Sequence, residues 1–197
     1  MEENIKSQLL RSSEIKKIIS ELYSKSIINC CNLILNCFKK GNKVIIFGNG
    51  GSAADSQHLA AEFIGRFNFN RKSLPAIALT TDTSIITAIG NDYGFDQIFK
   101  RQIQALLNSG DVIIAISTSG NSSNVIEAVK YAKKMNSPVI GFLGKDGGKL
   151  KDLVDIPIII PDENSARIQE AHITIGHIIC GIVEKEYFKW IKIIIIF

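Results

Sequence analysis

Residues 43–63, KVIIFGNGGSAADSQHLAAEF, decide the fold. An apolar run of strand length, Lys43–Phe47, enters a loop of Gly48, Asn49, Gly50, Gly51 and Ser52. The loop opens a helix-like segment, Ala53–Gly65. The run shows no polar alternation, so it reads as a strand covered on both faces, the habit of parallel sheets. Glycines let a ligand approach the backbone closely, and a helix N-terminus offers unpaired N–H groups to an anion. Ser52 reads as the helix N-cap. The loop matches neither G-x-x-x-x-G-K-[ST] nor G-x-G-x-x-G, and it lacks the lysine of a nucleotide P-loop.

The same unit recurs downstream. A strand over Asp111–Ser117 leads into the loop Ser117-Thr118-Ser119-Gly120-Asn121-Ser122-Ser123 and then a helix over Val125–Met135. Four of the seven loop residues are serine and one is threonine, so the loop is a set of uncharged hydrogen-bond donors able to hold a phosphate monoester reversibly. Further strands are expected at Pro75–Leu79, Pro138–Leu143 and Ile156–Ile160. Helices are expected at Phe95–Asn108, at a short piece around Lys149–Leu153 and over Asn164–Phe188. Residues 1–40 read as an N-terminal helical arm, from the spacing of Ile15, Ile18, Ile19 and Leu22. The expectation is therefore an α/β chain with a five-stranded parallel sheet sandwiched by helices. In the flavodoxin-like order 2-1-3-4-5 the strands before the two loops are neighbours, and ligands bind outside the carboxyl ends of strands at that crevice. Turn and cap chemistry explains either loop taken alone; two such loops facing one crevice point to a phosphate.

The bulk numbers bound the rest. The 197 residues suit one domain, with 46% hydrophobic and 21% charged residues, and no linker or composition break divides them. A net charge of +4 favours an anionic small molecule, while the absence of a dense Lys/Arg block argues against nucleic acid. Cys30, Cys31, Cys37 and Cys180 match no zinc or redox spacing and read as buried reduced thiols of a cytosolic protein. The polar start MEENIKSQLL reads as no signal peptide, and the apolar tail from Trp190 to Phe197 is too short to span a membrane. That tail reads as a surface packed on a partner subunit or as an aggregation-prone end.

Candidate acid–base residues follow. His58 and Glu62 are spaced i,i+4 on the first loop's helix and share a face, with Cβ atoms roughly 6 Å apart. Such a pair suits two ligands of one metal, or an acid and a base in register. Leu59, Ala60, Ala61, Phe63 and Ile64 around them suggest a largely buried helix, where a charged Glu needs a partner. The last helix carries Gln169, Glu170, His172 and His177. His58, His172 and His177 are the only histidines, so any scheme using His draws on them. Gln169 and His177 share a face but stand eight residues apart, roughly 12 Å of rise. His172 lies about 140° around from His177, so one of the two has a different task, and a satisfied core histidine is the reading for His172.

Four segments carry a resemblance: GNGGSAADSQHLAAEFIGRF, LTTDTSIITAIGNDYGFDQIFKRQI, SGDVIIAISTSGNSSNVIEA and RIQEAHITIGHIICGIVEKEYF. Together they resemble the phosphoheptose isomerases of the sugar isomerase (SIS) domain family, over about residues 5–188. The resemblance implies a single SIS domain over 1–197, with a helical region 1–40, a core 41–188 and the apolar tail 189–197. It implies a homotetramer with sites between subunits, in the cytoplasm. The implied reaction interconverts sedoheptulose 7-phosphate and D-glycero-D-manno-heptose 7-phosphate, the first step toward the heptose of bacterial surface polysaccharides. By motif match, Glu62 corresponds to the catalytic base and His177 to the acid/base histidine. His58, Glu62, Gln169 and His177 fall on zinc positions. Asn49, Gly50, Gly51, Ser52, Glu62, Asn91, Asp92, Ser117, Thr118, Ser119, Ser122 and Gln169 fall on the substrate side.

The residues suit that chemistry. An aldose–ketose isomerase takes a proton from the carbon beside a carbonyl and returns it to the adjacent carbon, which one carboxylate can do. Other readings are a non-catalytic SIS binding protein, such as the DnaA initiator-associating type or a sugar-phosphate sensor, an isomerase of hexose or pentose phosphates, and a dinucleotide oxidoreductase. Binding alone does not require Glu62 with His177, and the missing G-x-G-x-x-G disfavours the last.

Overall fold

The side chains of the central strands point alternately into two apolar layers. Val44 and Ile46 enter one layer and Ile45 and Phe47 the other; Ile114 and Ile116 oppose Ile113 and Ala115 in the same way. This two-sided burial is why the strands carry uninterrupted apolar runs. A computed structural model of the chain describes the backbone of residues 1–196 and the side chains of residues 1–189. The strands are β1 (Val44–Gly48), β2 (Ala76–Ala78), β3 (Val112–Ser117), β4 (Val139–Gly144) and β5 (Ile156–Ile160). All neighbours are parallel, in the expected order β2-β1-β3-β4-β5.

Helices α1 (Glu2–Leu22), α2 (Ser24–Lys39), α3 (Gly51–Ile64) and α7 (Ser165–Ile196) contribute to the first layer. Helices α4 (Thr83–Tyr93), α5 (Ile98–Leu106) and α6 (Ser123–Lys134) lie on the second. The N-terminal arm is thus two helices with a break at Tyr23. The four cysteines are free and buried. Burial raises the thiols of Cys30 to about 12 and of Cys31 and Cys37 to about 11. Among the described residues no helix is long and apolar enough to cross a membrane. The tail's side chains, from Trp190 on, lie outside the described residues.

The structure corrects the sequence reading at three places. Helix α4 was not expected: it is short and no residue of it is fully buried, with Ile86 and Ile89 partly buried against the second layer, and it starts from an Asp82 cap that accepts from Ile85 N at 2.9 Å. The segment 95–108 begins with a 3₁₀ turn, Phe95–Gln97, before α5. Helix α3 starts from Gly50 rather than Ser52, because Gly50 turns the chain at φ +56°, a conformation glycine adopts without steric cost. Ser52 is buried inside the first turn.

Candidate functional site

The two loops meet at the carboxyl ends of β1 and β3. Gly48 pairs with Ile116, and a Cβ on Gly48 would stand 2.7 Å from the Ile116 carbonyl oxygen, so the strands close tightly there. A pair of carboxamides then bridges the loops. Asn49 Nδ2 donates to Asn124 Oδ1 and Asn124 Nδ2 donates to Asn49 Oδ1, both at 2.9 Å. Asn124 is buried, and its Oδ1 also accepts from Val125 N at 2.9 Å. Sequence reasoning passed over Asn124, one more polar residue at a loop-to-helix junction; the only signal was an amide directly before the apolar Val125–Ile126.

Within the serine loop the Ser117 and Ser122 hydroxyls lie 3.0 Å apart, and Ser119 Oγ accepts from Asn121 N at 3.1 Å. Ser122 is the α6 N-cap residue, but its hydroxyl turns to Ser117 instead of capping the helix. The loop is braced from behind by the 3₁₀ turn Gly148–Asp152. There Leu150 N donates to Gly120 O at 3.0 Å and Lys149 N to Asn121 Oδ1 at 3.1 Å.

The acid–base candidates come together through α3 and α7, which run side by side in the same direction. Gly51 faces Gln169, Leu59 packs on Gly176, and His58 meets His177. A Cβ on Gly176 would stand 2.5 Å from Leu59 Cδ2, so the missing side chain lets the helices approach. His58 Nε2 lies 3.1 Å from Glu62 Oε1 and 3.3 Å from His177 Nε2. One ligand atom from each of these three residues falls within 4.8 Å of the others. The Phe67 ring packs on His177 at 5.6 Å between centroids. The expected burial of this helix face is not observed: His58 is exposed, while Glu62 and His177 are half-buried. Helix α3 buries Ser52, Ser56, Leu59, Ala60 and Phe63 instead, so the pair sits at the rim of the core.

Two imidazole nitrogens and a carboxylate oxygen at this spacing need a proton or a cation between them, since facing lone pairs repel. The donor set is one that zinc takes, and three protein ligands leave a fourth position for a further side chain or a substrate oxygen. The residues therefore fit the metal. One turn earlier on α3, burial pushes the Asp55 carboxyl up to about 6 against the pull of His58, and its Oδ2 is buried without a partner among the described residues.

The remaining expected residues are not brought to this cluster within the chain: Gln169 stands about 12 Å of rise from His177 on α7, and Asn91 and Asp92 lie on a helix of the other layer. The carboxamide of Gln169, expected in both the metal and the substrate sets, rests on Gly51: its Nε2 is 2.5 Å from where a Cβ would be. Asn91 and Asp92 end α4, are exposed, and bond to each other at 2.8 Å. Nearby Asp96 bonds to Ser123 at the start of α6, which ties that segment to the serine loop.

His172 turns into the core and donates from Nε2 to the Leu143 carbonyl at 2.9 Å, while its Nδ1 has no partner among the described residues. Burial pushes this imidazole down to about 4, with the Leu143 bond opposing. An unfolded histidine titrates near 6.5. Between these values the unfolded chain binds a proton that the folded chain refuses. Stability is therefore expected to fall as pH drops from about 6.5 toward 4, by about 3 kcal/mol at the bottom of the window. Urea unfolding at pH 7 and 4.5 measures this. His172→Gln keeps a donor and cannot titrate, so it should flatten the acid slope; an unchanged slope would acquit His172.

Comparison with known proteins places the chain among relatives. The family profile described as SIS domain matches residues 11–144. The chain is 53% identical to the phosphoheptose isomerase of Clostridium acetobutylicum over 95% of this chain and 97% of that protein. It is 51% identical to that of Aquifex aeolicus over 94% of this chain and 97% of that one. The solved structure of the Neisseria gonorrhoeae phosphoheptose isomerase superposes with a TM-score of 0.89 at 43% identity, covering 93% of this chain and 98% of that one.

Proposed function

We infer the reaction from one premise: the chain belongs to the SIS domain family, and within it to the phosphoheptose isomerases. It is an aldose–ketose isomerase that interconverts sedoheptulose 7-phosphate and D-glycero-D-manno-heptose 7-phosphate. The observation that carries this reading is the meeting of His58, Glu62 and His177 beside two Ser/Gly loops that share one crevice. From Gly51 to His58 along α3 is about 10 Å of rise, on the scale of an extended sugar chain.

In the proposed mechanism the phosphate rests in the two loops, held by the hydroxyls of Ser52, Ser117, Thr118, Ser119 and Ser122 and by the helix N-termini. Backbone groups of Asn49, Gly50 and Gly51 take part, since the Asn49 side chain is engaged with Asn124. Gln169, Asn91 and Asp92 orient the sugar hydroxyls. Glu62 takes the proton from the carbon beside the carbonyl and returns it to the adjacent carbon on the same face. His177 carries protons to and from the sugar oxygens. His58, Glu62 and His177 are the proposed zinc ligands within the chain, with Gln169 as a fourth from a neighbouring subunit; zinc held there would polarise the sugar carbonyl.

The proposal extends to the assembly: a cytoplasmic homotetramer whose sites lie between subunits. Two features support it. Helix α4 leaves Ile85 and Tyr93 exposed, and an apolar groove of about 320 Å³ between α1, α2 and α7 is lined by Ile19, Ile27, Ile28 and Ile178.

The test is to incubate purified protein with sedoheptulose 7-phosphate, with and without zinc, and follow the aldose by NMR. Conversion is expected. Thermal stabilisation by the sugar phosphate with no conversion, zinc present, would replace the enzyme with a binding protein on the same fold. Full turnover after metal removal would show zinc to be dispensable.

A further inference from the structure

We propose that the buried ion pair of Arg71 and Glu184 is a positioning device for the acid–base cluster. Its two side chains are 2% and 1% exposed and meet at 2.9 Å. Glu184 stands seven residues after His177 on α7, about 20° from the same face. Its carboxylate accepts from Arg71 Nε, from Phe67 N at 2.8 Å and from Asn68 N at 2.7 Å. The guanidinium spends its other nitrogens on the end of α3, donating to Glu62 O at 2.7 Å and Phe63 O at 2.5 Å.

One ion pair thus holds the peptide of Glu62, the loop that presents the Phe67 ring to His177, and the helix that carries His177. The loop is also packed closely on α7, where a Cβ on Gly181 would stand 3.2 Å from the Phe67 ring.

The attraction of the two charges does not by itself call for this pair. Burying two charges is costly, and replacing such a pair with well-packed apolar residues is often neutral or stabilising. What an apolar pair cannot do is hold the backbone groups of Glu62, Phe63, Phe67 and Asn68 at once. Arginine's planar fork suits it to that task, which the single ammonium of lysine cannot match.

The rate prediction rests on the isomerase reading; the geometric one does not. The double variant Arg71→Met with Glu184→Leu is compared with wild type and with Arg71→Lys. Readouts are melting temperature, kcat and KM, and the imidazole NMR signals of His58 and His177, with His172 as internal control. In the double variant kcat is expected to fall about 100-fold with KM within about threefold, because geometry rather than phosphate binding is lost. The melting temperature is expected to fall, since Phe67 N, Asn68 N, Glu62 O and Phe63 O lose these partners, so rates and spectra are read well below it. The His58 and His177 signals should move while His172 stays.

A folded double variant with wild-type kcat and unmoved His58 and His177 signals would overturn the proposal. If that variant does not fold, Arg71→Lys decides by the same two readouts. If wild type itself turns nothing over, the isomerase reading fails, and the imidazole signals alone decide the positioning claim.

Discussion

Glu62→Gln is expected to lower kcat about 10³-fold, within the range that a positioned general base contributes. The amide is isosteric and can still meet His58, which lies 3.1 Å from Glu62 Oε1 in the native chain. The fold should therefore survive, and the phosphate loops, built on other residues, should leave KM nearly unchanged. Because Glu62 is also a proposed zinc ligand, the zinc content of the same sample is measured beside the rate. A large loss of kcat with zinc retained assigns the loss to the missing base. A kcat within tenfold of wild type would remove Glu62 from the proton transfer.

The second large effect lies in the serine loop. Gly120 sits at φ +63°, and a Cβ there would run into the carbonyl oxygen of Gly147. Both sides of that clash are backbone, so neither can swing away. Relief requires moving the turn that donates from Leu150 N to Gly120 O and from Lys149 N to Asn121 Oδ1. Gly120→Ala is expected to lose about 3 kcal/mol of unfolding free energy, from backbone strain and overpacking together. It should also raise KM about tenfold or more, since the loop hydroxyls shift. Gly41→Ala is the control. That glycine has φ +76° but nothing within 4 Å of a Cβ, so only the strain of about 1 kcal/mol remains. Equal losses in the two variants, read by urea unfolding, would refute the clash.

The parts of the fold that were legible in the sequence are those with two-sided burial. Strands β1, β3 and β4 are apolar without interruption because both faces are covered. Their order came from the flavodoxin-like pattern, since the repeated strand–loop–helix unit predicts parallel strands but does not say which are neighbours. Helix α4 escaped because its apolar stripe is short, Ile85, Ile86 and Ile89, and is followed by the Gly90–Asn91–Asp92 stretch that reads as a loop. The helix start at Gly50 escaped because serine caps helices so often that Ser52 looked sufficient.

Within the site, the His58–Glu62 spacing marked one face of α3. Residue spacing along α7 could not say where on α3 each group would land. That depends on how the two helices sit against each other, which Leu59 and Gly176 set by contact across the chain. Asn124 and the Arg71–Glu184 pair were invisible for the same reason: their partners are defined only by the fold.

Leu59 and Gly176 occupy a single volume between them. Neither position is free to change by itself: a lineage that enlarges residue 176 must shrink residue 59 in the same step, or the histidines of the two helices part. The two positions are expected to drift as a pair, and the history of the catalytic centre is written in residues that do no chemistry.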